Sequence, residues 1–158
     1  MSFAAMKLGV AGSFGTDSWD TQPILVITPG NLKNVDYDIL VGYSSVGVGE
    51  DIDAQVGMLV GGTWWLGMNG PINYGMTAIY YSQGITNGGV GGDKASDNTI
   101  TSLDLMFSAK TPIVPSLDAR ADVLLYSSVA GKYLGDDIKS SNQMLSTIQL
   151  SLVYSFTL

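Results

Sequence analysis

Apolar and polar residues alternate with a period of two through most of this chain, which marks strands whose two faces meet different surroundings. Between Met144 and Leu158 one parity carries Ile148, Leu150, Leu152, Tyr154 and Phe156, and the other carries Thr147, Gln149, Ser151, Val153 and Ser155. Leu117 to Val129 sets Leu117, Ala119, Ala121, Val123 and Leu125 against Asp118, Arg120, Asp122, Leu124 and Tyr126. Thr101 to Lys110 sets Leu103, Leu105, Phe107 and Ala109 against Ser102, Asp104, Met106, Ser108 and Lys110. Ile72 to Gln83 sets Tyr74, Met76, Ala78 and Tyr80 against Asn73, Gly75, Thr77, Ile79 and Tyr81. Asp53 to Met68 sets Ala54, Val56, Met58, Val60, Trp64 and Leu66 against Asp53, Gln55, Gly57, Leu59, Gly61 and Thr63. Tyr37 to Ser45 opposes Tyr37, Ile39, Val41 and Tyr43 to Asp38, Leu40, Gly42 and Ser44, and the first segment opposes Met6, Leu8, Val10 and Phe14 to Lys7, Gly9, Ala11 and Ser13. An eighth segment, Asp20 to Thr28, is apolar over Pro23 to Ile27 and does not reveal its parity.

The connections alternate in length. Pro29 to Asp36, Asn69-Gly70-Pro71 and Thr111 to Ser116 read as the turns of one end; Gly15 to Trp19, Gly47 to Asp51, Gly84 to Asn98 and Ala130 to Asn142 read as the loops of the other. An even number of strands joined this way predicts an all-β, antiparallel, up-and-down barrel of about eight strands, in one domain covering residues 1–158.

Composition decides which face is outside. The chain is 46% hydrophobic and only 13% charged, against about 25% charged for an ordinary soluble domain. Yet no apolar stretch reaches the roughly 20 residues of a spanning helix: Val56 to Met68 is punctuated by Gly57, Gly61, Gly62 and Gly67. The polar parity is dominated by Gly, Ser, Thr and Ala. The whole chain has 7 Lys plus Arg, too few for a water-facing exterior. Small residues suit the crowded interior of a narrow barrel. The greasy parity is therefore expected to face lipid, as a transmembrane barrel requires, with Tyr37, Trp64, Tyr74, Phe107, Tyr154 and Phe156 near the short-turn ends and Tyr43 and Tyr80 nearer the loops, the layout of an aromatic girdle. A soluble, lipocalin-like carrier of an apolar ligand is the same alternation turned inside out.

With that layout the chain resembles the eight-stranded outer-membrane family of the OmpA transmembrane domain and OmpX, over nearly its whole length and by architecture. The resemblance implies the outer membrane of a Gram-negative bacterium, with the lipid bilayer and lipopolysaccharide as partners. It also implies that the barrel-assembly machinery reads the C-terminal strand Ile148 to Phe156, although here Thr157 and Leu158 follow the aromatic residue on which that family usually ends. No signal peptide is legible at Met1-Ser2-Phe3, so an exported chain of this kind is expected to have lost its leader before this start.

The chemistry on offer is narrow. There is no cysteine and no histidine, which excludes thiolate and Ser-His or Asp-His mechanisms. Barrel enzymes of the outer membrane lean on histidine, so no enzyme and no cofactor is expected. The net charge of −7 argues against nucleic acid. The interior parity collects Lys7, Asp53, Asp104, Lys110, Asp118, Arg120 and Asp122, and a buried charge must be paired. Arg120 is expected to meet Asp104, within an ion-pair network that fills the lumen. The loop acids Asp17, Asp20, Glu50, Asp51, Asp93, Asp97, Asp136 and Asp137 read as a solvated rim, without the spacing of a calcium loop. Gly9 to Gly15 and Gly88 to Lys94 lack the strand-to-helix setting of a phosphate loop. Tyr133 and Leu134, an apolar pair amid Lys132, Asp136, Asp137 and Lys139, are the candidate recognition contact of a surface loop. The expected function is a non-enzymatic barrel with an envelope-structural or surface-recognition role; the alternative is a small diffusion pore.

Overall fold

The computed structural model describes residues 7–11, 24–28, 36–44, 52–54, 57–87, 99–133, 136–142 and 148–157. They form ten strands: β1 (Lys7–Ala11), β2 (Ile24–Thr28), β3 (Asp36–Ser44), β4 (Ile52–Ala54), β5 (Gly57–Asn69), β6 (Ile72–Asn87), β7 (Thr99–Val114), β8 (Leu117–Tyr133), β9 (Asp136–Asn142) and β10 (Ile148–Thr157). Every pairing is antiparallel, and the order runs β1-β2-β3-β5-β6-β7-β8. The sheet then returns on itself, because β10 pairs with β8 on one side and with β1 on the other. The result is an up-and-down ring of eight strands, with no open edge along the ring.

The two remaining strands continue members of the ring. β4 takes the edge of β6 beyond β5, with Ala54 opposite Ile85. β9 takes the edge of β8 beyond β10, with Asn142 opposite Ser127. Here the structure departs from what the alternation predicts. Ala130 to Asn142 is not a loop but the continuation of β8 and its hairpin partner β9, and β6 runs on to Asn87. Ser, Gly, Asp, Lys and Asn interrupt the apolar positions of these extensions, so the sequence there lacks the regular alternation that betrays a strand. Thr111 to Ser116 is not a turn throughout: β7 runs through Pro112 to Val114, and the chain reverses at Pro115-Ser116. A register shift between Pro112 and Val114 accommodates the proline, which has no N–H to give to a ladder.

One parity faces in. Leu59, Thr63 and Trp65 on β5, Gly75, Thr77 and Ile79 on β6, Met106 and Ser108 on β7, and Arg120, Asp122 and Leu124 on β8 are all buried. Large apolar side chains lie exposed mostly on the other parity, among them Val60, Trp64, Tyr80, Phe107, Leu150 and Tyr154. One placement departs from simple alternation. Tyr126 belongs to the inward parity by count, yet it is 46% exposed. A bulge after Leu124 inserts one residue into β8, and everything beyond it changes face.

Two glycines are demanded by geometry. Gly70 has φ 60° at the head of the two-residue Gly70-Pro71 turn between Asn69 and Ile72, where a type II′ hairpin requires glycine. Gly75 lies opposite Trp65, and a Cβ there would collide with the Trp64 carbonyl oxygen. That neighbour is backbone and cannot swing away. Gly75→Val is therefore expected to cost about 1–3 kcal/mol, the usual penalty of overpacking, read as a lower urea midpoint in detergent micelles.

Candidate functional site: the lumen

The interior is filled by two tiers of opposite character. The polar tier lies toward the short turns and has two linked centres.

The first centre is Arg120. Its Nε and Nη2 donate to Asp122, with Nη2 at 2.8 Å from Oδ1 and Nε at 2.8 Å from Oδ2. The same Nη2 donates to the hydroxyls of Thr63 (2.8 Å) and Thr77 (2.9 Å). Thr63, Thr77 and Ser108 are joined hydroxyl to hydroxyl, and Ser108 donates on to Asp122. The four strands β5, β6, β7 and β8 are thus tied across the lumen. Their members are nearly inaccessible, with Arg120 and Asp122 each at 5%. A guanidinium presents its donors in a rigid plane, which is how one residue reaches three strands at once.

The second centre is Asp38. It accepts from Thr28 Oγ1 (2.7 Å), Trp65 Nε1 (2.8 Å) and Lys110 Nζ (3.1 Å). The Lys110 ammonium also stands 4.1 Å from the centroid of the Trp65 ring, and the Arg120 guanidinium lies 5.6 Å from it. Trp65 therefore bridges the two centres. Every buried side-chain polar atom among the described residues has a partner, so both charges of each pair are compensated where desolvation is severe.

The expected pairing of Arg120 with Asp104 does not form. Arg120 stands opposite Lys110 on β7, whereas Asp104 stands opposite Ser127 and accepts its hydroxyl at 2.6 Å. Six residues of strand separate Asp104 from Lys110, about 20 Å of rise, with Met106 and Ser108 between them on the same face. Asp118 lines a cavity of about 50 Å³ with Asp38, Lys110, Arg120 and Ser155. Lys7 pairs with Thr28 and Thr157 in the backbone ladder, and Asp53 pairs with Thr86; their side chains lie outside the described residues. The alternation places Asp38 on the inward parity but does not mark it as a centre. Trp65 carries a plainer signal, since it continues the run Gly57, Leu59, Gly61, Thr63, and a tryptophan among small residues has to fill the space they leave.

The exterior aromatics take definite rows. Tyr37, Trp64, Met76 and Phe107 are successive cross-strand neighbours from β3 to β7. Tyr74 and Tyr154 lie nearer the turns, Tyr43 and Tyr80 nearer the loops, and Tyr126 joins the exterior through its bulge. The side chains of Phe156 and Tyr133, together with Leu134, Asp17, Asp20, Glu50, Asp51, Asp93, Asp97 and both glycine-rich segments, lie outside the described side chains; Asp136 and Asp137 belong to the backbone of β9.

Among the described residues, no group of acidic side chains converges on a metal-sized site. No protein-family model and no curated protein matches this sequence. Among solved structures the chain is similar to a major outer membrane protein from Thermus thermophilus, at a TM-score of 0.45 and 16% identity, over 97% of this chain and 100% of that one.

The distribution of charge is the sharpest property of the molecule. The charged residues with described side chains are Asp36, Asp38, Asp104, Lys110, Asp118, Arg120 and Asp122, and every one of them sits on the inward parity. Of these only Asp36, at the turn-end mouth of the barrel, is exposed. The outer wall is apolar and uncharged where it is described. This inverts the arrangement by which a protein stays dissolved in water.

Proposed function

We propose that this protein is a non-enzymatic barrel of the outer membrane of a Gram-negative bacterium, closed by its own side chains. The observation that carries the reading is the inverted charge pattern: an apolar outer wall around an interior that holds every described charge but Asp36, which lies at the mouth. On β5 the outward positions Met58 to Leu66 carry no charge. Eight residues of tilted strand rise about 20 Å along the barrel axis, close to the apolar band of about 25 Å expected of an outer-membrane barrel. The exterior tyrosines and tryptophan lie toward both margins of that wall, where their rings suit the boundary of lipid and water. A lipocalin-like carrier would need the opposite: charges outside and a roomy apolar cavity within.

The proposed role includes a non-conducting lumen and a place in the wall or at the surface rather than in transport. Two cavities among the described residues line the lumen, of about 50 and 20 Å³, room for a few waters and for one. Strands β6, β7 and β8 have 16, 16 and 17 residues, against the roughly 9–11 that cross a bilayer. The surplus carries polar residues past the apolar wall and ends at Tyr133, the start of the predicted recognition contact. Lipopolysaccharide is the proposed lipid neighbour at that end.

The expected result is that the protein fractionates with outer membranes, runs faster on unheated gels than after boiling, and gives planar bilayers no single-channel currents. Stable currents from pure protein would instead make it a pore. Solubility without detergent would return it to the soluble carrier class.

A further inference from the structure

The seal of a closed barrel of this kind can be placed in either tier, and the packing favours the apolar one. A single contiguous cluster holds Ile24, Val26, Leu40, Leu59, Ile79, Met106, Leu124 and Val153, with Tyr81 packed against it; all but Val153, which stands opposite Asp118 on the turn side of Arg120, lie toward the loops. The loop-side members come from β2, β3, β5, β6, β7 and β8, six of the eight strands of the ring. Among the described side chains, the cluster therefore spans the lumen from β2 to β8 as a septum. On five strands the order along the inward face is the same. Asp38 precedes Leu40 from the turn end, as Thr63 precedes Leu59, Thr77 precedes Ile79, Ser108 precedes Met106 and Asp122 precedes Leu124. Polar groups resume above it with Asp104 and Ser127.

We infer that this apolar septum, and not the Arg120–Asp122 ion pair, is what blocks permeation through the barrel. The inference rests on the closed-lumen reading above and says which side chains close it. An ion leaving the polar tier toward the loops must shed its water among aliphatic side chains that offer no replacement ligand. Such constrictions exclude ions by dewetting. The ion pair is poorly placed to act as the stopper. It adjoins a cavity of about 50 Å³ toward the turns and one of about 20 Å³ toward the septum, Val26 and Arg120 lining both. Removing the pair would merge these two spaces and leave Leu59, Ile79, Met106 and Leu124 where they are. The septum is thinnest beside β10, where Gln149 and Ser151 line the smaller cavity.

The test compares potassium efflux from proteoliposomes for four proteins, each checked for folding by its mobility on unheated gels. They are the unmodified chain, Arg120→Ser with Asp122→Ser, Leu59→Ser with Ile79→Ser and Leu124→Ser, and Leu59→Asn with Leu124→Asn, which keeps the branching and heavy-atom count of each side chain. Efflux should equal that of empty liposomes for the first two. It should rise about tenfold or more once the septum is polar. The doubly substituted asparagine variant keeps the test open if the triple variant does not fold. Leak from the Arg120/Asp122 variant would overturn the inference, as would tight septum variants that fold. Leak from the unmodified chain is a different failure, since it removes the closed-lumen reading before any substitution is made.

Discussion

Arg120→Ala should be the most destabilising single substitution in the lumen, by about 3–5 kcal/mol, the usual cost of removing one partner of a buried ion pair. The side chain that remains explains the size. Asp122 is 5% exposed and loses the Nε and Nη2 donors that now face it. It keeps only Ser108, whose hydroxyl is shared with Thr77. Thr63 and Thr77 lose a charged donor as well. Urea unfolding in detergent micelles or bilayers measures the change. A second substitution decides its cause: Asp122→Asn in the Arg120→Ala background removes the stranded charge and should recover a large part of the loss. If the single variant unfolds at the same urea concentration as the parent, Arg120 is not held as described.

Leu150→Arg is expected to cost about 2–4 kcal/mol in a bilayer, the penalty for an arginine near the midplane of a barrel's lipid face. Leu150 is 52% exposed on the outward parity of β10, opposite Ala121. The loss should be smaller in a micelle, whose surface deforms more readily around a charge. Ser151→Arg, one residue along, points the new charge at the lumen and should fail for a different reason, by crowding beside Arg120, with little difference between bilayer and micelle. Equal stability of Leu150→Arg and the parent in lipid would mean that this face does not meet hydrocarbon.

The barrel itself is legible in the sequence because one physical contrast repeats along it. An apolar exterior and a filled interior force a period of two wherever a strand crosses the wall, and a register slip would exchange the two faces. Legibility stops where that contrast stops. Along the extensions of β6, β8 and β9 the sequence loses its regular apolar–polar alternation, so Ala130 to Asn142 looks like a loop. Parity also misleads where one residue is inserted: nothing in Leu124-Leu125-Tyr126 announces the bulge that turns Tyr126 outward. Within the lumen, the alternation tells which residues face in, but not their height along the axis. Height depends on how each strand is staggered against the next. Arg120 can therefore be given to Asp104 on the inward face of the same neighbouring strand, while its actual partner is two residues away on its own strand. Asp38 escapes notice for the same reason, since only stagger brings it to Lys110, a residue far along the chain and on a strand that is not its neighbour.

The pairing of β1 with β10 has a consequence for how the molecule comes into being. Lys7 lies beside Thr157, and Val10 beside Tyr154. The last seam to be made therefore joins the two ends of the described chain, and its contacts have the greatest sequence separation available. Such contacts repay the entropy of closing the chain only late, which slows folding. Until that seam forms, β1 and β10 are both open edges, each with a row of unpaired backbone groups able to pair with another chain. An unclosed intermediate is thus a template for its own copies, with an apolar face attached. For this fold, time spent incomplete is the hazard, and an escort that shields both edges until they meet would matter more than any single contact in the finished wall.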